Sequence, residues 1–177
     1  MKRPMKKKKK KKPRPTTTIN SSPCRPVYDP QKWNGSAHVG LNHCYNYATD
    51  VMTDNAALPG EGSGKACCST DASVTCEKVG AAAVSDKLQA TAGVTTGNPA
   101  HAHFVALALE PAGTPGRDFH WYRRDCNGFW SHKVGNSPAR NVDESGQPIL
   151  NPQTCDRGNY SVFCGFFFCD PSIVTIF

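Results

Sequence analysis

The chain has 177 residues, enough for one domain with a proper core, and 21 basic against 14 acidic side chains give it a formal net charge of +7. Ten of the basic residues lie within positions 1–15, where there is no acid, so the remainder is mildly acidic, with eleven basic residues against fourteen acidic ones. That body keeps no basic stripe, which argues against a nucleic-acid-binding domain, and no apolar run is long enough for a transmembrane segment.

Residues 1–22 read as a tail. The lysine run repels itself and has nothing to bury, and Pro4, Pro13 and Pro15 oppose a helix, so the tail is expected to be disordered. Its basic part opens on Lys2 and closes on Arg14, and it suits a polyanion partner, whether nucleic acid or an anionic surface. The start lacks the apolar stretch of an ordinary secretory signal. Nine cysteines nevertheless hint at an oxidising environment or a virion, so compartment stays open. If eight cysteines pair, Cys44 is the best candidate for the free thiol.

Residues 23–177 are expected to form a single α+β domain, with N-terminal helices packed on an antiparallel sheet. A helix is predicted over 44–57, capped by Asn42 and stopped by Pro59-Gly60. A second helix is predicted over 74–90. Strand 103–109 is apolar on both faces, as a central strand should be. Strands 118–124 and 128–134 flank Asp125-Cys126-Asn127-Gly128, a hairpin signal. A polar loop follows over 137–152, then a strand over 160–169 and a short one over 173–177. Helices before an antiparallel sheet make the α+β class.

Cys44 stands where a polar loop becomes a helix. A thiol there feels the helix dipole and free N–H groups, which favour the nucleophilic thiolate and can hold an oxyanion. It needs an imidazole to take its proton. His103 opens the central strand and His120 lies on the next one. His132 is the alternative support for His120. With a two-residue turn, His120 would face Lys133 and His132 would face Trp121, on opposite sides of the sheet; a one-residue bulge would bring the imidazoles together. Trp121, Tyr122 and Trp130 are core residues first and cleft residues second.

A helix-start cysteine, His-Phe-Val-Ala-Leu opening a strand at 103 and Asp-Phe-His at 118–120 resemble the NlpC-type cell-wall peptidases of the papain-like superfamily. The resemblance covers about 40–124. It implies a papain-like fold and a catalytic domain with Cys44 as nucleophile, His103 as base and His120 as orienter. It also implies hydrolysis of amide or peptide bonds, a peptide or peptidoglycan-type substrate, and no cofactor. The residues before Cys44, the longer link between the histidine strands and the extra cysteines depart from that pattern. A zinc site from Cys126, Cys155, Cys164 and Cys169 lacks a Cys-x-x-Cys pair, so no metal is expected. The rival class is a non-enzymatic, disulfide-braced binding or structural protein attached to a polyanion by its lysine tail.

Overall fold

The computed structural model describes residues 24–67, 74–98 and 101–177. The predicted tail over 1–22 lies outside the described residues. Among the described residues the fold is α+β: three short helices, α1 (Pro30–Asn34), α2 (Cys44–Thr49) and α3 (Cys76–Ser85), and five strands. The strands are β1 (Gln89–Thr91), β2 (His103–Leu109), β3 (Phe119–Arg124), β4 (Trp130–His132) and β5 (Val162–Cys169). They form one antiparallel sheet in the order β1-β5-β2-β3-β4.

Strand β2 is central and buried at every position, because both faces of the sheet are covered. Val105, Leu107 and Leu109 alternate onto one face, where they meet Trp121, Phe167 and the apolar residues of α2 and α3, among them Tyr45, Ala48, Val79 and Ala83. Phe104, Ala106 and Ala108 alternate onto the other, packed with Tyr122, Trp130 and Ile149 under the long C-terminal loop. A register shift between Leu107 and Ala108 falls opposite Gly165, whose φ of 145° suits glycine and absorbs the bulge.

Helix α2 starts at the expected residue but ends after six residues rather than running to 57. Asp50 adopts a left-handed conformation (φ 58°) and its N–H returns to Asn46 O and Tyr47 O, which closes the helix. Side-chain amides then hold the following loop. Asn42 Oδ1 accepts from the N–H groups of Thr53 and Asp54, each at 3.0 Å, and Asn46 Oδ1 accepts from Ala57 N at 3.1 Å. Asn42 therefore anchors a loop, and His43 takes the cap position expected of it. Helix α3 stops at Ser85, and Gln89 and Ala90, expected to be helical, pair with β5 instead as part of β1. The segment 173–177, expected as a strand, is irregular. Helix α1, short and opened by Asp29 and Pro30, has no counterpart among the sequence-based expectations.

Cys24 is bridged to Cys126, 102 positions apart, and Cys76 to Cys164, 88 positions apart; Cys67 is disulfide-bonded as well. Cys44, Cys155 and Cys169 are free thiols. The expected pairing of eight cysteines around a single free Cys44 therefore does not hold. Among the described residues no helix is long and apolar enough to cross a membrane.

Candidate functional site

Helix α2 lies against β3, with Tyr45 packed on Trp121 at a centroid distance of 5.4 Å and Tyr47 Oη bonded to Ser131 Oγ at 2.7 Å. This places the Cys44 thiol in the core, at the edge of a cavity of about 200 Å³. His43, Leu58, Asp118, His120 and Tyr160 share that cavity wall. The sequence suggests an activated thiolate, and the surroundings of Cys44 give the opposite. Burial, and after it the Asp118 carboxylate, push the thiol from 9.0 up to about 12. The backbone N–H groups of Trp121, Tyr45 and Cys44 itself pull the other way without overcoming this. A six-residue helix has only a small dipole to offer.

The imidazoles sort by strand register. The β3–β4 hairpin pairs Tyr122 with His132 and Arg124 with Trp130, around a five-residue connection closed by Asp125 N donating to Phe129 O at 2.9 Å. A two-residue turn would have paired His120 with Lys133, so the observed register is shifted by one. That shift turns His132 onto the face of His120 and Tyr122. His120 Nε2 and His132 Nδ1 are 2.8 Å apart, and Tyr160 stacks on the His120 ring at 4.9 Å. Burial holds His120 well below its usual range and His132 at about 4.

Two groups meet His132 Nε2 from outside the pair: Val142 O at 3.0 Å, which can only accept, and Arg140 Nε at 3.1 Å, which can only donate. They demand opposite tautomers. With the proton on Nε2, facing Val142, His132 Nδ1 accepts from His120 Nε2–H, and His120 Nδ1 is left as an acceptor. With Arg140 donating, both rings reverse and His120 Nδ1 carries the proton. That Nδ1 has no hydrogen-bond partner among the described residues, and His120 lines the Cys44 cavity.

His103 is not part of this arrangement. In the β2–β3 register Ala108 faces His120, so His103 lies five positions, roughly 17 Å, further along the strand. There it bonds Ala48 O at 2.6 Å, near the far end of α2, and burial pushes it down to about 4. The structure thus places His103 apart from Cys44 and His120, which share a cavity wall, and brings His132 to His120 instead. Trp121, Tyr122 and Trp130 sit in the two cores.

Three polar residues of this region escape sequence reasoning. Tyr160 donates from its hydroxyl to Asp118 Oδ2 at 3.2 Å. Arg140 reaches the histidine pair from the polar loop. Lys133 is fully buried, donates to Val39 O (2.7 Å) and Gly135 O (2.6 Å), and is pulled down to about 8 by burial. Nothing local in the chain announces these partners; only the hairpin register brings the polar loop to His132. Of the four cysteines considered for zinc, Cys126 and Cys164 are tied up in disulfides. No cluster of three or more His, Cys, Asp or Glu side chains suited to a metal occurs among the described residues.

No family model matches the chain, and no solved structure matches it. It is 38% identical over 149 residues to insoluble matrix shell protein 1 of Ruditapes philippinarum, an alignment spanning 84% of this chain and 93% of that protein.

Proposed function

We propose, for a chain that belongs to the same family as insoluble matrix shell protein 1, that it is a structural component of an insoluble matrix. It would be a disulfide-braced, non-enzymatic domain carried to a polyanionic scaffold by its lysine tail. The carrying observation is the likeness to that protein along nearly its whole length. The two long-range disulfides support it, since they suit an oxidising surrounding and a domain that must persist once placed there. The test mixes the full chain, and a chain lacking residues 1–15, with an insoluble polyanionic resin. Retention that weakens steeply with salt and disappears on truncation supports tail-mediated attachment. Equal retention of both chains, or none, refutes it.

One observation favours a second reading, a thiol hydrolase resembling the NlpC-type peptidases: Cys44 and His120 border the same cavity, and His132 bonds His120 from behind. In the tautomer that leaves His120 Nδ1 unprotonated, His120 would take the thiol proton, Cys44 would attack an amide carbonyl, and His120 would return the proton to the leaving amine. A peptide or peptidoglycan-type stem peptide is the substrate this reading implies. Turnover lost in Cys44→Ser and His120→Ala but kept in His103→Ala supports it. An inert wild-type chain against such peptides removes it.

A further inference from the structure

Tyr160 also lines a second, larger cavity, of about 630 Å³, together with Ser137, Arg140, Glu144, Arg157 and Asn159. That volume is in the range of sites that take a small ligand. Two guanidinium groups face a single carboxylate there, so the wall carries a net positive charge.

Arg157 is fixed but not neutralised. Its Nε donates to Tyr160 O (2.9 Å), its Nη1 to Pro152 O (2.8 Å) and Gln153 O (2.6 Å), and its Nη2 to Ser161 O (2.9 Å). All four acceptors are backbone carbonyls, and among the described residues no carboxylate pairs with it. Pre-positioning of this kind removes the ordering cost that a flexible arginine would bring to binding. Arg140 pairs with Glu144 through Nη2 and reaches His132 through Nε, while its Nη1 makes no hydrogen bond among the described residues. Glu144 packs over Gly158, where a Cβ would come within 2.9 Å of Glu144 Cγ, so the glycine leaves room for the Arg140–Glu144 pair. Glu144 therefore occupies Arg140 in the manner of a tethered ligand.

We propose that this cavity binds the carboxylate side chain of a short acidic peptide, held by Arg140 and Arg157 in competition with Glu144. A carboxylate can accept from the remaining Arg157 Nη2–H and from Arg140 Nη1, and from Arg140 Nη2 once Glu144 is displaced, and the volume exceeds what a bare oxyanion would fill. The site is separate from the Cys44 thiol and from the attachment role of the tail.

The full chain is titrated by calorimetry with an acetylated, amidated Ala-Glu-Ala peptide and with its Ala-Gln-Ala counterpart. The Glu peptide is expected to bind at least about tenfold more tightly, because only it offers charge-assisted bonds. Arg140→Met is expected to weaken it about tenfold. Glu144→Gln, which removes the competitor and keeps the shape, is expected to tighten it about threefold; this opposite sign cannot come from misfolding. Cys44→Ser is expected to bind like wild type. Equal binding of the two peptides, or a Glu144→Gln variant no tighter than wild type, overturns the proposal. So does full competition by inorganic phosphate or bicarbonate at matched ionic strength and peptide-like concentration, which would identify a simple oxyanion site instead.

Discussion

Removing the Cys24–Cys126 bridge by the paired change Cys24→Ser and Cys126→Ser should destabilise the domain by several kcal/mol while leaving its fold in place. The N-terminal segment keeps other ties: Cys126 N donates to Pro26 O at 2.8 Å, Asn98 Nδ2 to Arg25 O at 3.3 Å and Arg123 Nη2 to Val27 O at 3.4 Å. The loss therefore arises chiefly in the unfolded chain, where a closure of 102 positions is released. Chain entropy puts that at about 4.7 kcal/mol, and the 88-position closure of Cys76–Cys164 at nearly the same value. Against a total stability of about 5–15 kcal/mol for a domain, either loss is a large share. At about 2–4 °C per kcal/mol for this size, the melting temperature should fall by roughly 10–18 °C. Fluorescence-detected thermal and guanidinium unfolding would read it through the buried Trp33, Trp121 and Trp130. The denaturant slope should rise as well, because the uncrosslinked unfolded chain exposes more surface. A shift below about 3 °C with an unchanged slope would refute the entropic account.

Two further outcomes follow from buried charge. His103 and His132 each have a folded pKa near 4 against an ordinary 6.5, both through burial, so the unfolded chain takes up protons first as the pH falls. Stability from them is complete above about 6.5 and is lost as the pH falls through 4; by pH 4.5 each removes about 2.5 kcal/mol. Urea midpoints at pH 7, 5.5 and 4.5 should show this, with a shallower fall in His103→Gln; a flat profile contradicts it. Arg123, fully buried, pairs with Asp50 at 3.0 Å and Asp125 at 3.1 Å. Arg123→Met strands both carboxylates and should cost about 3–5 kcal/mol in the same unfolding assay. A variant within 1 kcal/mol of wild type would mean that water or another cation replaces the guanidinium.

What could be read from the chain was what local chemistry decides. The both-face apolarity of 103–109 locates the central strand, and the hairpin signal around Cys126 locates β3 and β4. Helix α2 begins where the polar loop ends. Its short length was not legible, because the amides of Asn42 and Asn46 end it by holding loop residues seven to twelve positions away. Strand β1 was hidden too, since Gln-Ala-Thr has little strand character of its own and exists as a strand by pairing with Phe166, Phe167 and Phe168. The histidines show how much rests on one residue of register. The same hairpin with a shorter turn would send His132 to the α2 face and leave His120 without its partner.

Resting electrostatics also separate the two functional readings. Raising the Cys44 thiol from 9.0 to about 12 adds about 4 kcal/mol to the formation of a thiolate, and His120, held well below its usual range, resists becoming imidazolium. A thiolate–imidazolium pair is therefore opposed from both sides, so the resting state is neutral thiol beside neutral imidazole. A structural domain loses nothing by this: a neutral thiol packs like a small apolar group, and the histidine pair satisfies most of its own hydrogen bonds. A hydrolase would have to recover those 4 kcal/mol from bound substrate, by drawing its developing charge toward a donor such as Lys133 or by admitting water to the cavity. Cys44 and His120 share a cavity wall, whereas the burial of Cys44, His120 and His132 suits a domain that does no chemistry with them.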